Sequence, residues 1–312
     1  MTIQQLEYII AVANEGSFSR AATKCFVTQP TLSMQIHKLE EELGVIIFDR
    51  SKNPIKATPI GEAIIEQARV NLQGMERIKE IIREQSHEIK GHLRLGIIPT
   101  LAPYLLPLFL TSFITKYPQI SLSIEEFISE QLILRLKQDM LDVAMLVTPV
   151  DDSAITEIPL FYESFVAYVS TNHPLIHSEM IELKNLNINE MLLLSEGHCF
   201  RKQVINICPE RIDKKWSAQL RFESGSLETL KRIVERNYGY TLVPELAVLN
   251  ISEQNKQYVK PLREPRPVRE VSLVLHRTIL KRNLIAVLQD EILSHIPEEM
   301  KAGKRGKVVN WR

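Results

Sequence analysis

The chain carries no catalytic signature: no glycine-rich phosphate loop, no HExxH and no nucleophile elbow occurs in its 312 residues. No apolar run approaches the roughly 18 residues of a membrane span. The opening MTIQQLEYII lacks the charged start and long apolar core of a signal peptide. These absences argue against an enzyme, a membrane protein or a bound cofactor. They argue for a cytoplasmic protein, in a compartment where thiols stay reduced. Charge of one sign is missing too. The formal net charge is +0, and residues 1–90 hold 11 basic and 12 acidic side chains, so any claim of DNA binding rests on pattern. Cysteine is scarce, at three residues, and two of them, Cys199 and Cys208, sit together in EGHCFRKQVINIC. Their spacing of nine fits neither the two to four residues usual between paired zinc ligands nor a thioredoxin-type dithiol.

The first ninety residues carry a helical pattern. Leu6, Ile9, Ile10 and Val12 or Ala13 give one apolar face, Gly16 stops that helix, and Ser17 caps a second from Phe18 to Lys24. After a short turn, Thr28 caps a third helix with Pro30 in its first turn. Leu32, Ile36, Leu39 and Leu43 are expected inside, and Thr31, Ser33, Gln35 and Lys38 outside. Helix, turn and a second helix with a polar face make a helix-turn-helix; an ordinary amphipathic helix of a bundle is the alternative. Phe48, Arg50, Ser51, Lys52, Asn53 and Lys56 follow as a β-wing with cations placed for phosphates. A long helix from about Pro59 to His87 repeats Ile64, Ala68, Asn71, Met75, Ile78 and Ile82 at 4-3-4-3-4 spacing, an a/d seam suited to a dimer contact. Packing on the chain's own C-terminal part is the alternative.

The stretch SFSRAATKCFVTQPTLSMQIHKLEEELGVIIFDR resembles the winged helix-turn-helix of the LysR-type transcriptional regulators. The resemblance implies that Gln29, Pro30, Thr31, Ser33 and Gln35 lie at or in the major groove of promoter DNA and that Arg50, with Lys52 nearby in the wing, meets the backbone. Gln29 and Gln35 suit adenine N6/N7.

Beyond Gly91, a hinge in this reading, apolar periodicity gives a strand at Leu93–Ile97, a helix at about Ala102–Lys116, a strand at Ile120–Ile124, a helix at about Glu130–Met140 and a strand at Leu141–Val147. This βαβαβ order predicts a largely parallel sheet. Further strands are expected near Phe165–Val169, Leu192–Leu194, Tyr240–Val243 and Val271–Leu275, with a closing helix near Leu280–His295. Two α/β lobes joined by two crossings resemble the periplasmic-binding-protein-like effector domain of the same family. The expected fold is α/β with an N-terminal winged helix-turn-helix (1–58), a dimerisation helix and hinge (59–90), and a two-lobed effector domain (91–300). Lobe I takes about 91–163 and 268–300, and lobe II about 164–267. The basic residues 301–312 are read as a disordered tail.

A helix beginning at Cys199 and reaching Cys208 separates the two by roughly 13.5 Å of rise and about 180°. A disulfide needs Cα atoms within about 7 Å, so the pair can bond only after the segment unwinds, which would make a switch. A helix N-terminus and His198, Arg201 and Lys202 are expected to favour the Cys199 thiolate. Two plain buried thiols are the alternative; a zinc site with His198 lacks further ligands at suitable spacing. GHCFRKQVINIC, GIIPTLAPYLLP, SGSLETLKRIV and GYTLVPELAV resemble the OxyR branch of the LysR-type family, which senses hydrogen peroxide. The resemblance implies that Cys199 is peroxidatic and Cys208 resolving, and that the two form a reversible regulatory disulfide. It implies a peroxide pocket of Thr100, Ser129, His198 and Arg269, with Ser129 where the branch typically has threonine. It further implies homodimers within a homotetramer, activation of antioxidant genes and contact with RNA polymerase. Cys25 is read as core. Lys202 replaces an acid of the better-known pattern and Arg221 stands near a position that can be histidine; both add positive charge and imply a similarly reactive or more stabilised thiolate. A regulator gated by a small metabolite between its lobes is the competing reading.

Overall fold

A computed structural model describes residues 1–86, 89–208, 222–279, 281–301 and 306–310. Arg221, His87, Pro209 and Leu280 lie outside the described residues. The chain divides into two compact units, Met1–Glu88 and Ile89–Arg312.

In the first unit, Thr2 caps α1 (Ile3–Glu15) in a capping box with Gln5, and Gly16 ends it at φ 58°. Ser17 caps α2 (Phe18–Lys24), whose small Ala21 and Ala22 are fully covered and let the neighbouring helices approach. Thr28 caps α3 (Gln29–Leu43), with Pro30 in the first turn. Leu32, Ile36 and Leu39 are fully buried. Leu43, expected inside, is 38% exposed: it is the last residue before the left-handed Gly44, where the chain leaves the core. Cys25 packs partly against this core. The antiparallel pair β1 (Phe48–Asp49) and β2 (Lys56–Ala57) forms the wing. In α4 (Pro59–Ser86), Ile65 and Ala68 join the N-terminal core, whereas Asn71, Met75 and Ile78 of the seam face solvent in the single chain. The Ile82 side chain is outside the described set.

The second unit opens with β3 (Gly91–Ile97), α5 (Ala102–Lys116), β4 (Ile120–Glu126), α6 (Ser129–Lys137) and β5 (Val143–Thr148). Strands β4, β3 and β5 are parallel, as the βαβαβ order predicts. Gly96 permits the close approach of α6 and the chain after it, since a Cβ there would meet Leu132 at 2.4 Å and Leu141 at 2.6 Å. Helix α6 stops three residues before the expected Met140, and Asp139 turns the chain at φ 56°.

The main departure is β6 (Ile155–Val169), a single 15-residue strand of which only the end, Phe165–Val169, is expected from the sequence. Next come β7 (Leu193–Leu194), α7 (Cys199–Ile207), β8 (Glu223–Ser224), α8 (Leu227–Glu235), β9 (Tyr240–Pro244), α9 (Leu246–Leu249) and β10 (Val259–Pro261). The chain closes with β11 (Pro267–His276), α10 (Arg282–His295), α11 (Glu298–Lys301) and β12 (Lys307–Val308). Among the described residues the main sheet runs β10-β6-β11-β5-β3-β4, with β9 branching from β6 and β12 from β11. Strand β11 is antiparallel to both β5 and β6, so the sheet is mixed and not largely parallel. The first half of β6 pairs with β11 beside lobe I, and its second half with β9 and β10 in lobe II. The two crossings between lobes are therefore paired strands. Each lobe has its own apolar core. The tail reading is corrected as well: residues 306–310 are ordered against β11, because Lys307 and Val309 donate backbone N–H groups to the Arg266 and Val268 carbonyls.

Candidate functional site

The first candidate surface is the outer face of α3 with the wing. Gln29 and Pro30 are exposed, and Thr31, Ser33 and Gln35 are half-buried. Thr31 Oγ1 shares a 2.8 Å hydrogen bond with Thr28 Oγ1, and Gln5 donates to Gln35 Oε1 at 3.4 Å, which orients Gln35. Glu40 was missed as a site residue. Its buried carboxylate accepts from the Ile47 and Phe48 N–H groups at 2.8 and 3.2 Å and from Arg50 Nη2 at 2.9 Å. One acid thus fixes the wing to α3 and orients Arg50, whose guanidinium also lies 5.2 Å over the Phe18 ring. Arg50 remains 44% exposed, and Lys52 pairs with Asp49 at 3.4 Å. A glutamate in a helix reads as solvated from sequence; only the contact with the following turn reveals its work.

The second candidate is built around α7. Cys199 is its first residue and Cys208 its C-cap. Both are reduced, with no disulfide, and buried, but in different places: Cys199 belongs to the core of lobe I, whereas Phe200, Val204, Ile207 and Cys208 belong to that of lobe II. The helix therefore carries one thiol into each lobe. Cys208 is correspondingly packed, at 8% exposure.

Around Cys199 the structure brings three distant residues together. Thr100 follows β3, Ser129 opens α6 and Arg269 lies on β11; all are at most 2% exposed. Arg269 donates from Nη1 to Thr100 Oγ1 at 3.1 Å and from Nη2 to the Thr100 carbonyl at 3.3 Å, and sits 5.3 Å over the Phe200 ring. Ser129 Oγ is buried with no hydrogen-bond partner, yet lies near enough to the Cys199 thiol to favour its anion. His198 is the N-cap residue of α7, next to Cys199, and a Cβ at Gly225 would meet its Nε2 at 3.8 Å.

Glu163 completes this cluster and was also missed. It is the cross-strand partner of Arg269, and both are 0% exposed. Its Oε1 accepts from Arg269 Nε at 2.9 Å, and its Oε2 from the Leu246 N–H at 3.1 Å. Burial pushes the Glu163 carboxyl up, and Arg269 opposes that shift. The lone acid inside the apolar run PLFYESFVAYV was the available signal: a charge in a buried strand requires a partner.

The expected origin of the thiolate is corrected. Burial is the largest effect and leaves the Cys199 thiol above its usual pKa, which favours the protonated form; Ser129, Arg269 and the N–H groups opening α7 oppose that shift. Burial lowers the His198 pKa, which favours the neutral imidazole over a cation beside the thiol. Arg201 donates instead to the Leu194 carbonyl at 2.6 Å, and Lys202 is exposed on α7. The cation acting on the thiol comes from β11, more than sixty positions away. Among the described residues no cluster of three or more His, Cys, Asp or Glu is placed to hold a metal ion.

Residues 3–62 match the model of the bacterial regulatory helix-turn-helix protein, lysR family, and residues 86–296 that of the LysR substrate binding domain. The chain belongs to the LysR family of bacterial transcription regulators. As a LysR-family regulator it binds DNA through the winged helix-turn-helix. Among its relatives, a hydrogen peroxide-inducible genes activator of Haemophilus influenzae is 36% identical over 97% of this chain and 98% of that protein. The DNA-binding transcriptional dual regulator OxyR of Escherichia coli is 34% identical over 88% and 89%. A full-length OxyR structure from Pseudomonas aeruginosa superposes with a TM-score of 0.80 at 34% identity, covering 94% of each chain. This LysR-family fold is the α/β, binding-protein-like one expected from the sequence, with a mixed sheet in place of the largely parallel one.

Proposed function

We propose that this LysR-family regulator responds to hydrogen peroxide through a reversible Cys199–Cys208 disulfide and controls antioxidant genes. The observation that carries the reading is one helix with a reduced, buried cysteine at each end, the first thiol lying against the buried Ser129 hydroxyl and under the field of Arg269. A buried hydroxyl without a partner leaves donor and acceptor capacity for a small polar guest. The pocket residues Thr100, Ser129 and Arg269 are covered, and His198 is half-buried, which suits a two-oxygen molecule better than a bulky metabolite.

The chemistry balances in two steps. The Cys199 sulfur attacks one peroxide oxygen and the O–O bond breaks; the departing hydroxide takes up the thiol proton as water, leaving sulfenic acid. Ser129 and Thr100 hydroxyls hold the peroxide, and Arg269 stabilises the anion. Helix α7 then unwinds, the Cys208 sulfur attacks the sulfenic sulfur, the S–S bond forms and a second water leaves. The product is a stable disulfide that an outside reductant must reset, so the protein signals and does not turn over.

In this reading residues 1–58 contact promoter DNA, with Gln29, Pro30, Thr31, Ser33 and Gln35 in the major groove and Arg50 and Lys52 on phosphates. Residues 59–90 join dimers along Asn71, Met75 and Ile78, and residues 91–300 sense peroxide as part of a cytoplasmic homotetramer that contacts RNA polymerase. Lys202 adds charge at the rim of the switch.

The test is peptide mapping by mass spectrometry, without reductant, after one equivalent of peroxide. The expected result is a rapid Cys199–Cys208 crosslink, absent when either cysteine is replaced by serine. Survival of both thiols sinks the reading and returns attention to a metabolite between the lobes.

A further inference from the structure

Residues 306–310 dock on the switch helix. Lys307 and Val308 lie along β11 as a parallel strand, with Lys307 N–H donating to the Arg266 carbonyl at 3.1 Å and Val309 N–H to the Val268 carbonyl at 2.9 Å. Gly306 enters so tightly that a Cβ there would come within 2.1 Å of the Arg266 carbonyl oxygen, so no larger residue keeps this path. From that edge the segment reaches α7. Gln203 Nε2 donates to the Val309 carbonyl at 2.8 Å, and Asn206 Nδ2 to the Asn310 carbonyl at 2.9 Å. Val309 packs against the lobe II core, which includes Cys208. Gln203 is 0% exposed and its Oε1 has no partner, so the buried amide depends on its bond to Val309.

Gln203 and Asn206 lie between the two cysteines, on the helix that must unwind before the thiols can meet. The two carbonyls they reach belong to a strand anchored separately on β11. Unwinding α7 carries both amides away from these acceptors, while helical α7 presents them together. We propose that residues 306–310 form an intramolecular strap that holds α7 in its helical, reduced form and lets go of it when the disulfide forms. The face of α7 between Gln203 and Asn206 is thus a docking surface whose occupant is this chain's own strand. The strap sets how readily oxidation of Cys199 proceeds to the disulfide. This consequence rests on the peroxide reading; the docking does not.

Two full-length-derived variants test it: a chain ending at Lys301 and the point variant Gly306→Val, which blocks the strand without removing it. In the reduced proteins, hydrogen exchange of the α7 amides is expected to rise at least tenfold in both variants, while exchange in α5 and β3 stays unchanged. In thiol–disulfide buffers, the equilibrium is expected to shift at least tenfold toward disulfide, about 30 mV for a two-electron couple. Sulfenic acid formation in a Cys208→Ser background is expected to keep its rate. Unchanged α7 exchange in both variants overturns the strap whether or not a disulfide ever forms. A wild-type chain that forms no Cys199–Cys208 disulfide in any buffer overturns the peroxide reading instead, and leaves the exchange result to decide the docking.

Discussion

Replacing Arg269 by methionine removes the cation paired with Glu163 and leaves that carboxyl buried at 0% exposure beside the Leu246 N–H. It also strips donors from the Thr100 hydroxyl and carbonyl. Breaking a buried ion pair from one side costs about 3–5 kcal/mol, because the remaining charge has nowhere to go. Glu163→Leu leaves the guanidinium equally stranded and carries a similar penalty. The double replacement removes both charges and fills the space with apolar side chains of similar volume. Its remaining cost is the unpaired Thr100 and Leu246 groups, about 2–3 kcal/mol. The singles together therefore exceed the double by at least ~3 kcal/mol. Urea denaturation of the four reduced proteins measures this coupling. A value below about 0.5 kcal/mol refutes the claim that the two residues act as one buried unit. A second readout separates chemistry from stability. Alkylation of Cys199 at neutral pH is expected to slow in Arg269→Met, because the cation favouring the thiolate is gone.

Ser129→Ala removes a buried hydroxyl that, among the described residues, meets only the Cys199 thiol, so stability is expected to change by less than about 0.5 kcal/mol, while the Cys199 thiol titrates at higher pH and reacts more slowly with peroxide; a normal alkylation pH profile refutes the contact. Glu40→Ala withdraws the acceptor of two backbone N–H groups and Arg50; it is expected to cost about 1–3 kcal/mol and to weaken operator binding in gel-shift titrations, whereas unchanged affinity would separate the wing from DNA contact. Asp142 is buried, which alone would raise its pKa, yet Arg94 and Lys281 hold the carboxyl below its usual range. Its contribution is complete above the unfolded value of about 3.9 and disappears as pH falls through the lower folded value. Asp142→Asn is therefore expected to destabilise the protein at pH 7, with the gap to wild type closing below about pH 4 in denaturation curves; a pH-independent gap contradicts the ion-pair origin.

Local signals in the sequence located much of this structure. Thr28 and Pro30 announce the start of α3, α5 has the expected bounds, and the position of Cys199 at a helix start is readable from Gly197 and the apolar residues that follow. Non-local relations were hidden. The early half of β6 contains Pro159 and breaks alternation, so it reads as connection; pairing with β11 makes it a strand. Burial of Cys199 in the other lobe's core reverses a thiolate argument built from sequence neighbours. Glu163 and Glu40 are both acids whose roles depend on groups brought from elsewhere by the fold. The basic composition of residues 301–312 reads as solvated, although Val308 and Val309, on the edge of β11, already carry the apolar signal of a strand.

The strands β6 and β11 run side by side, paired at nine register positions from His276–Ile155 in lobe I to Val268–Ser164, where the chain passes between the lobes. Two lobes tied by separate loops can swing like jaws; two lobes joined where the strands are paired resist that motion, since opening strains the Val268–Ser164 step and the Glu163–Arg269 contact beside it. Such a receptor is poorly suited to announcing a guest by closing over it. Its information has to be written in a segment that can change shape while the frame stays still, and α7 is a short helix anchored in both halves of that frame.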